Sequence, residues 1–364
     1  MPLRSDRVPG RAISAEERRV EAIVRSIDVG YRNTKYVFSA AEDGFECRVF
    51  PSVAPTATGR DLSEALGRKR NTVIVEADGL KYEVGPDAAL AEKAAAIQRL
   101  DNDYCTSAEY LALVRGALHF MKVEQVDLLV VGLPVSAFEL KKHELAKRLR
   151  GNHPLREGKS VSVREVKVLA QPHGALINYA LSESRLDAMK RQRNLIIDSG
   201  GRTFDFLVTQ GLKIVEKRSD DAKRGMQDVI HVLAGEIGKA LHTEYTDYER
   251  LDVALRSRSK PLVFGKPYDL EPHMPAARKI TDEAVTYLRR YVQDGSDIDN
   301  IILSGGSAFF FREAVRGAFP RHQIHEIDDA LYANVRGFQL FGMEKVVQAE
   351  RRSAKHEQAG VSPT

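Results

Sequence analysis

NLIIDSGGRTFDFLVTQG, residues 194–211, is an apolar strand that ends in a carboxylate, passes two glycines and returns as a second alternating strand. A plain two-residue hairpin asks only for Asn-Gly or Asp-Gly. Here Asp198 is followed by Ser199, Gly200, Gly201, Arg202 and Thr203 before apolar alternation resumes at Phe204. Bare backbone, hydroxyls and an acid share one turn, which is the composition of a loop that receives a ligand.

A relative of this stretch lies upstream in RSIDVGYRNTKYVFSAAEDG, residues 25–44. Both contain an apolar strand, an Asp, one residue, a Gly, a polar turn with Thr and an alternating return strand. Asp28 and Asp198 stand 170 positions apart, near one domain length, so the pattern predicts duplicated lobes facing across a cleft. Read singly, either hairpin is an ordinary structural turn. As a pair at domain spacing they predict a phosphate clamp.

Glycine lets backbone N–H groups approach an anion closely. Each charge-assisted N–H bond to phosphate contributes about 1.5–3 kcal/mol. The candidate contacts are Gly30, Tyr31, Asn33, Thr34 and Lys35 in the first turn, and Gly200, Gly201, Arg202 and Thr203 in the second. Thr34 and Thr203 are expected to add hydroxyl donors. Lys35 adds a cation, worth roughly 4 kcal/mol at 4 Å and an effective dielectric near 20. Carboxylates repel phosphate, so Asp28 and Asp198 are expected to hold Mg²⁺ through its waters from opposite walls.

A third element, DIDNIILSGGSAFFFREAVRGAFP at 297–320, runs from a buried strand through Ser304, Gly305, Gly306 and Ser307 into a helical pattern. Strand, glycines, helix is a common nucleotide-contacting unit, although Gly-Gly after a strand is also an ordinary turn. Gly305, Gly306 and Ser307 join the candidate contacts.

The chain has 364 residues, 43% apolar and 29% charged, the balance of a soluble globular protein of two lobes. It has no apolar run of about 18 residues, and its Arg-containing N-terminus lacks the apolar core of a secretory signal. Cys47 and Cys105 are isolated and read as reduced thiols rather than a disulfide or zinc site. A net charge of +4 is too weak to argue nucleic-acid binding by itself.

Together the three elements resemble the actin-like ATPase superfamily of actin, heat-shock chaperone ATPase domains and sugar kinases. IDVGYRNTK looks like its first phosphate loop, IIDSGGRTFDF its second and IILSGGSAFFF its adenosine motif, in order over about residues 22–345. Within it the chain resembles plasmid-segregation actins of the ParM/StbA type. The carrying residues are IDVGYRNTK, YEVGPDAAL (82–90), VVGLPVSAFELKKHELAKRLRGNHPL (130–155) and VKVLAQPHGALINYAL (166–181).

The resemblance implies an α/β, duplicated, ribonuclease-H-like fold of two lobes, each with a small insert. The first lobe is expected at 21–170 plus a returning helix at 329–348, with its insert at about 45–105. The second is expected at 171–328, with its insert at about 225–293. Polar tails are expected at 1–20 and 349–364.

Gln171 matches the superfamily's Glu or Gln that positions the attacking water, and as a helix-start residue it also has a purely structural reading. Glutamine orients water but is no effective base. Gly225 is expected near the sugar or base, Arg202 stands where chaperone-like members often carry glycine, and Phe309–Phe311 suggest an apolar base pocket. The implied activity is slow, assembly-coupled hydrolysis of ATP, with GTP left open.

The implied partners are further copies of the chain, head to tail, and a DNA-bound adaptor, in the cytoplasm and without direct sequence-specific DNA reading. A sugar-type kinase, a chaperone-like ATPase and a non-hydrolysing scaffold are the alternatives. Basic runs at Lys141–Arg150, Lys190–Arg193 and Arg256–Lys260 read as solvated faces or as contacts to an acidic partner or DNA.

Overall fold

The computed structural model describes residues 22–41, 44–57, 70–91, 103–155 and 158–360. The first half opens with the antiparallel meander β1 (Val24–Val29), β2 (Asn33–Ala41) and β3 (Gly44–Pro51), which sets Asp28 directly opposite Lys35. A separate hairpin follows, β4 (Val73–Ala77) and β5 (Leu80–Val84). Then come α1 (Ala108–Met121), β6 (Gln125–Leu133), α2 (Val135–Leu149), β7 (Gly151–Pro154) and β8 (Ser160–Ala170). The sheet order is β3-β2-β1-β6-β8-β7, with β1, β6 and β8 parallel.

Strand β6 is apolar almost throughout because both its faces are covered. Leu129, Val131 and Leu133 pack with Leu113 and Leu118 of α1, whereas Leu128 and Val130 meet Phe338 from the far end of the chain.

The second half runs through α3 (Gln171–Ser182), α4 (Leu186–Met189), β9 (Arg193–Ser199), β10 (Phe204–Gln210), β11 (Lys213–Ile214) and β12 (Asp220–Ala222). Helices α5 (Met226–Leu241) and α6 (Tyr248–Ser257), the short hairpin β13 (Leu262–Val263) and β14 (Lys266–Pro267), and α7 (Met274–Val292) follow. The chain then forms β15 (Asn300–Ser304), α8 (Ala308–Ala318), β16 (Ile324–Glu326) and α9 (Ala333–Gly360). The sheet order is β11-β10-β9-β15-β16, with β12 on β10 and with β9, β15 and β16 parallel. Each sheet therefore carries an Asp-Gly hairpin on one side and parallel strands on the other. The expected duplicated, two-lobed α/β architecture is the one observed.

Two details differ from the sequence reading. Residues 45–51, placed in the first insert, form β3 of the main sheet, because their alternation pairs with β2 through Phe50 opposite Thr34. Residues 349–360, read as part of a tail, continue helix α9. Ala, Glu, Arg, Lys and Gln are strong helix formers, and a helix already nucleated by packing propagates without an apolar face. After β5 the chain forms a 3₁₀ turn at Ala88–Ala91.

Two helices tie the halves together. Helix α3 leaves β8 and packs on the second sheet, where Ala175, Leu176, Tyr179 and Ala180 join Ile196, Leu207 and Ile302. Helix α9 returns to the first sheet: Ser26 Oγ donates to Val335 O (2.9 Å) and Gln339 Nε2 to Val24 O (3.0 Å). The two helices cross glycine on glycine, since a β-carbon at Gly337 would collide with the Gly174 carbonyl. Neither backbone can move without moving the other, so Gly337→Ala is expected to destabilise by about 2–3 kcal/mol. A urea melt that shifts by less than about 0.5 kcal/mol would refute this tight crossing.

Candidate active site

The turns after β1, β9 and β15 meet around one cavity between the sheets. Its walls include Asp28, Gly30, Tyr31, Arg32, Asn33 and Lys35 from the first turn, Asp198, Gly200, Gly201, Arg202 and Thr203 from the second, and Gly305, Gly306 and Ser307 from the third. Gln171 lines it from the head of α3 and Asn334 from the start of α9.

Asp28 is fully buried. Its Oδ2 accepts from Lys35 Nζ (2.6 Å) and its Oδ1 from Gln171 Nε2 (2.7 Å). Register delivers Lys35, and the β8–α3 junction delivers Gln171 opposite it. Gly132 makes the space, because a β-carbon there would press on Gln171 and Phe338.

Asp198 is buried under the third turn, and its Oδ2 accepts from Asn334 Nδ2 (2.6 Å). Gly305 adopts a left-handed φ of 95°, and any side chain there would strike Asp198 and Ser199. Ser307 N donates to Ser199 O (3.0 Å) and Ser307 Oγ to Gly200 O (3.1 Å), so the second and third turns form one rigid unit. Burial raises the Asp198 carboxyl above the ordinary range, against the lowering effects of Asn334 and Lys35.

Beside Asp198 the second sheet sets further acids in a row. Asp205 on β10 lies opposite both Asp198 on β9 and Asp221 on β12. Helix α2 begins after Pro134, which has no side-chain acceptor for its first N–H groups. Asp205 Oδ1 and Asp221 Oδ1 supply them, accepting from Val135 N (3.1 Å) and Ser136 N (3.3 Å). Two carboxylates of the second lobe thus cap a helix of the first. Burial, then Asp221 and Asp198, push the Asp205 carboxyl well above the ordinary range. Burial and the same acids, Asp205 and Asp221, push the Tyr31 phenol up to about 12.

The structure relocates several residues expected at the site. Thr34 is fully buried with its hydroxyl 2.9 Å from Ser52 Oγ, so it cannot reach a ligand. The two-residue period of β2 turns it away from Asn33 and Lys35. Gly225 does not line the cavity but lies against the Arg202 backbone, where a β-carbon would come within 2.5 Å of Arg202 N. There the start of α5 braces the second turn, with Gln227 N donating to Gly201 O (2.7 Å). Phe311 stacks on Phe204 in the core, and Phe309 and Phe310 border a groove between α7 and α8, so the expected aromatic base pocket is not on the cavity wall.

Sequence reasoning missed Arg32, Asn334, Asp205, Asp221 and Arg256. Asp205 stood in the opening motif, seven residues after Asp198, at the same-face spacing of a hairpin.

A duplicated α/β fold with three glycine turns on one interlobe cleft defines an actin-like protein. A model of the N-terminal domain of actin-like proteins matches residues 26–174, and a model of the C-terminal domain of archaeal MreB-like actin homologues matches 196–317. The chain belongs to the actin-like superfamily. No curated protein matches it by sequence.

Among solved structures, it is similar to apo pSK41 ParM, with 18% identity, TM-score 0.64 and coverage of 90% of this chain and 99% of that one. A 15-stranded ParM filament from Clostridium botulinum matches at 18% identity and TM-score 0.70, covering 89% and 99%. The archaeal actin homologue Ta0583 in complex with ADP matches at 20% identity and TM-score 0.65, covering 90% and 99%.

The acid row gives a pH signature. A carboxyl with a raised folded pKa adds no penalty at low pH, and the penalty grows as pH rises through the folded value. Asp205→Asn keeps an oxygen for Val135 N–H and removes the charge. It is therefore expected to raise Tm at about pH 7 and to leave it unchanged near about pH 3, where both states of the wild-type group are protonated. Equal shifts at both pH values would refute a charge penalty at Asp205.

Proposed function

We propose that the cleft binds a magnesium nucleoside triphosphate, ATP in the first instance, hydrolyses it slowly, and uses the nucleotide state to control head-to-tail assembly of the chain. The observation that carries this reading is the convergence of Asp28, Lys35, Gln171 and Asp198 with all three glycine turns on one cavity. The turns would hold the phosphates through backbone N–H groups, and Lys35 would lie beside the terminal ones.

The donor set suits a hard cation held through its waters. It consists of carboxylate and amide oxygens, and Asn334 Oδ1 is buried beside Asp198 with no partner among the described residues. When bound, such an ion supplies charge neutralisation at the phosphates. Gln171 gives its amide N–H to Asp28, which fixes the side chain and leaves Oε1 as an acceptor able to orient an attacking water. An amide in that place suits hydrolysis better than a kinase reaction, which needs a base for the substrate hydroxyl.

The filament of the C. botulinum relative supports self-assembly as part of the proposal. Heterologous contacts of that kind generate open polymers. We place the activity in the cytoplasm, in segregation of a plasmid or similar DNA through a DNA-bound adaptor. Cys47 and Cys105 are thiols, which suits a reducing compartment, and no described helix is long and apolar enough to cross a membrane. The basic runs argue only weakly for direct DNA binding, because several of their cations already have acidic partners. Lys141 pairs with Asp103 and Glu144, Lys142 with Glu139, Arg148 with Asp78, and Lys190 with Asp187.

Asp198→Ala is expected to abolish Mg²⁺-dependent phosphate release with the fold retained. Gln171→Ala is expected to slow it about 10²-fold with nucleotide affinity kept. Light scattering with ATP, GTP and ADP is expected to rise with a triphosphate. Unchanged turnover in Asp198→Ala, or scattering indifferent to every nucleotide, would sink the reading.

A further inference from the structure

We infer that Arg32 is a phosphate-binding residue of the cleft, held in this structure by Asp252 and handed to the ligand's phosphates in competition with it. The inference rests on the nucleotide reading above and adds a residue and a partner exchange to it.

Arg32 sits in the first glycine turn, between Tyr31 and Asn33, and lines the cavity with Gly201 and Gly306. The second turn lies on its side chain, since a β-carbon at Gly201 would come within 2.9 Å of Arg32 Cβ. Its guanidinium crosses from the first lobe to the second, where Nη2 reaches Asp252 Oδ2 on α6 at 2.7 Å. Asp252 is the ion-pair partner of Arg32 among the described residues.

That partner is poorly matched to its load. The same Oδ2 also receives Arg256 Nε at 2.8 Å, while Oδ1 is buried with no hydrogen-bond partner among the described residues. Two guanidinium groups share one oxygen, and neither forms the two-pronged pair that makes Arg–carboxylate contacts strong. Arg256 has further anchors: Nη1 donates to Gly306 O (2.5 Å), and the guanidinium lies over the Phe309 ring at 5.4 Å. Among the described residues Arg32 has no such further anchors, and it is about one-third exposed, so it is the cation free to leave.

A polyphosphate presents several oxygens to a planar fork where Asp252 presents one. Moving Arg32 to phosphate would leave Asp252 paired with Arg256 and cut a direct tie between the first turn and α6. Occupancy of the cleft would then be felt on the second lobe.

The test is a double-mutant cycle on the full chain, read as the dissociation constant of Mg-ATP by fluorescent-analogue titration. Asp252→Asn is expected to tighten binding about 5-fold, because it weakens the competitor, and Arg32→Gly to weaken it about 10-fold. In the Arg32→Gly background, Asp252→Asn is expected to change affinity less than about 2-fold. An equal effect of Asp252→Asn in both backgrounds, or weaker binding in the single variant, would overturn the exchange and leave the nucleotide reading standing.

A wild-type chain that binds neither Mg-ATP nor Mg-GTP would remove both. Arg32→Lys tests the fork without touching Asp252. It is expected to bind Mg-ATP several-fold more weakly than wild type, and equal affinity would overturn the assignment.

Discussion

A carboxylate with no access to solvent has to be compensated where it stands, and Asp28 is such a group. Its compensation comes from Lys35 on the neighbouring strand and Gln171 on the crossing helix, so β1, β2 and α3 are fixed relative to one another by one side chain. Removing a partner from a buried pair of this kind typically costs about 3–5 kcal/mol, since it leaves a charge without an answer. The geometry of the candidate site is thus a condition of folding. Gly132 belongs to the same constraint, because it admits both Gln171 and the Phe338 ring that seals β6 to α9.

The second lobe solves the same problem reciprocally. Asp28 of the first sheet is gripped by α3, which packs on the second sheet. Asp198 of the second sheet is gripped by Asn334 of α9, which packs back on the first. The helices that hold the two aspartates are the ones that cross at Gly174 and Gly337, so a rotation of the lobes cannot leave either carboxylate undisturbed. The partners differ in kind. Asp28 has a cation, whereas Asp198 has a neutral amide, and burial raises its carboxyl above the ordinary range.

The hairpins, the third turn and the helix head at Gln171 were legible because each is a local pattern: apolar period, acid, glycine, return. The direction of Thr34 was legible too, since the period of β2 separates it from Asn33 and Lys35, but residue type drew attention ahead of parity. Asn334, Arg256 and Asp252 were not legible. Each is one polar position on an amphipathic helix, and its place at the cleft depends on how that helix packs against elements distant in sequence. Residues 349–360 failed for a different reason: lack of an apolar face argues against packing, not against helix.

The charges of the cleft are already committed to one another. Lys35 belongs to Asp28, Arg32 to Asp252, and the first N–H groups of α2 to Asp205 and Asp221. An anion entering between the lobes therefore gains only the difference between its own contacts and those it displaces. A single phosphate has too few oxygens to outbid several carboxylates at once. A chain of phosphates spanning the three turns would engage those donors together, and a divalent ion would offset its repulsion from the aspartates left behind. On the proposed reading, a preference for a triphosphate over a monophosphate would follow from this internal competition. On the proposed reading the same competition would couple ligand to conformation, because the Arg32–Asp252 tie that the anion would displace joins the two lobes.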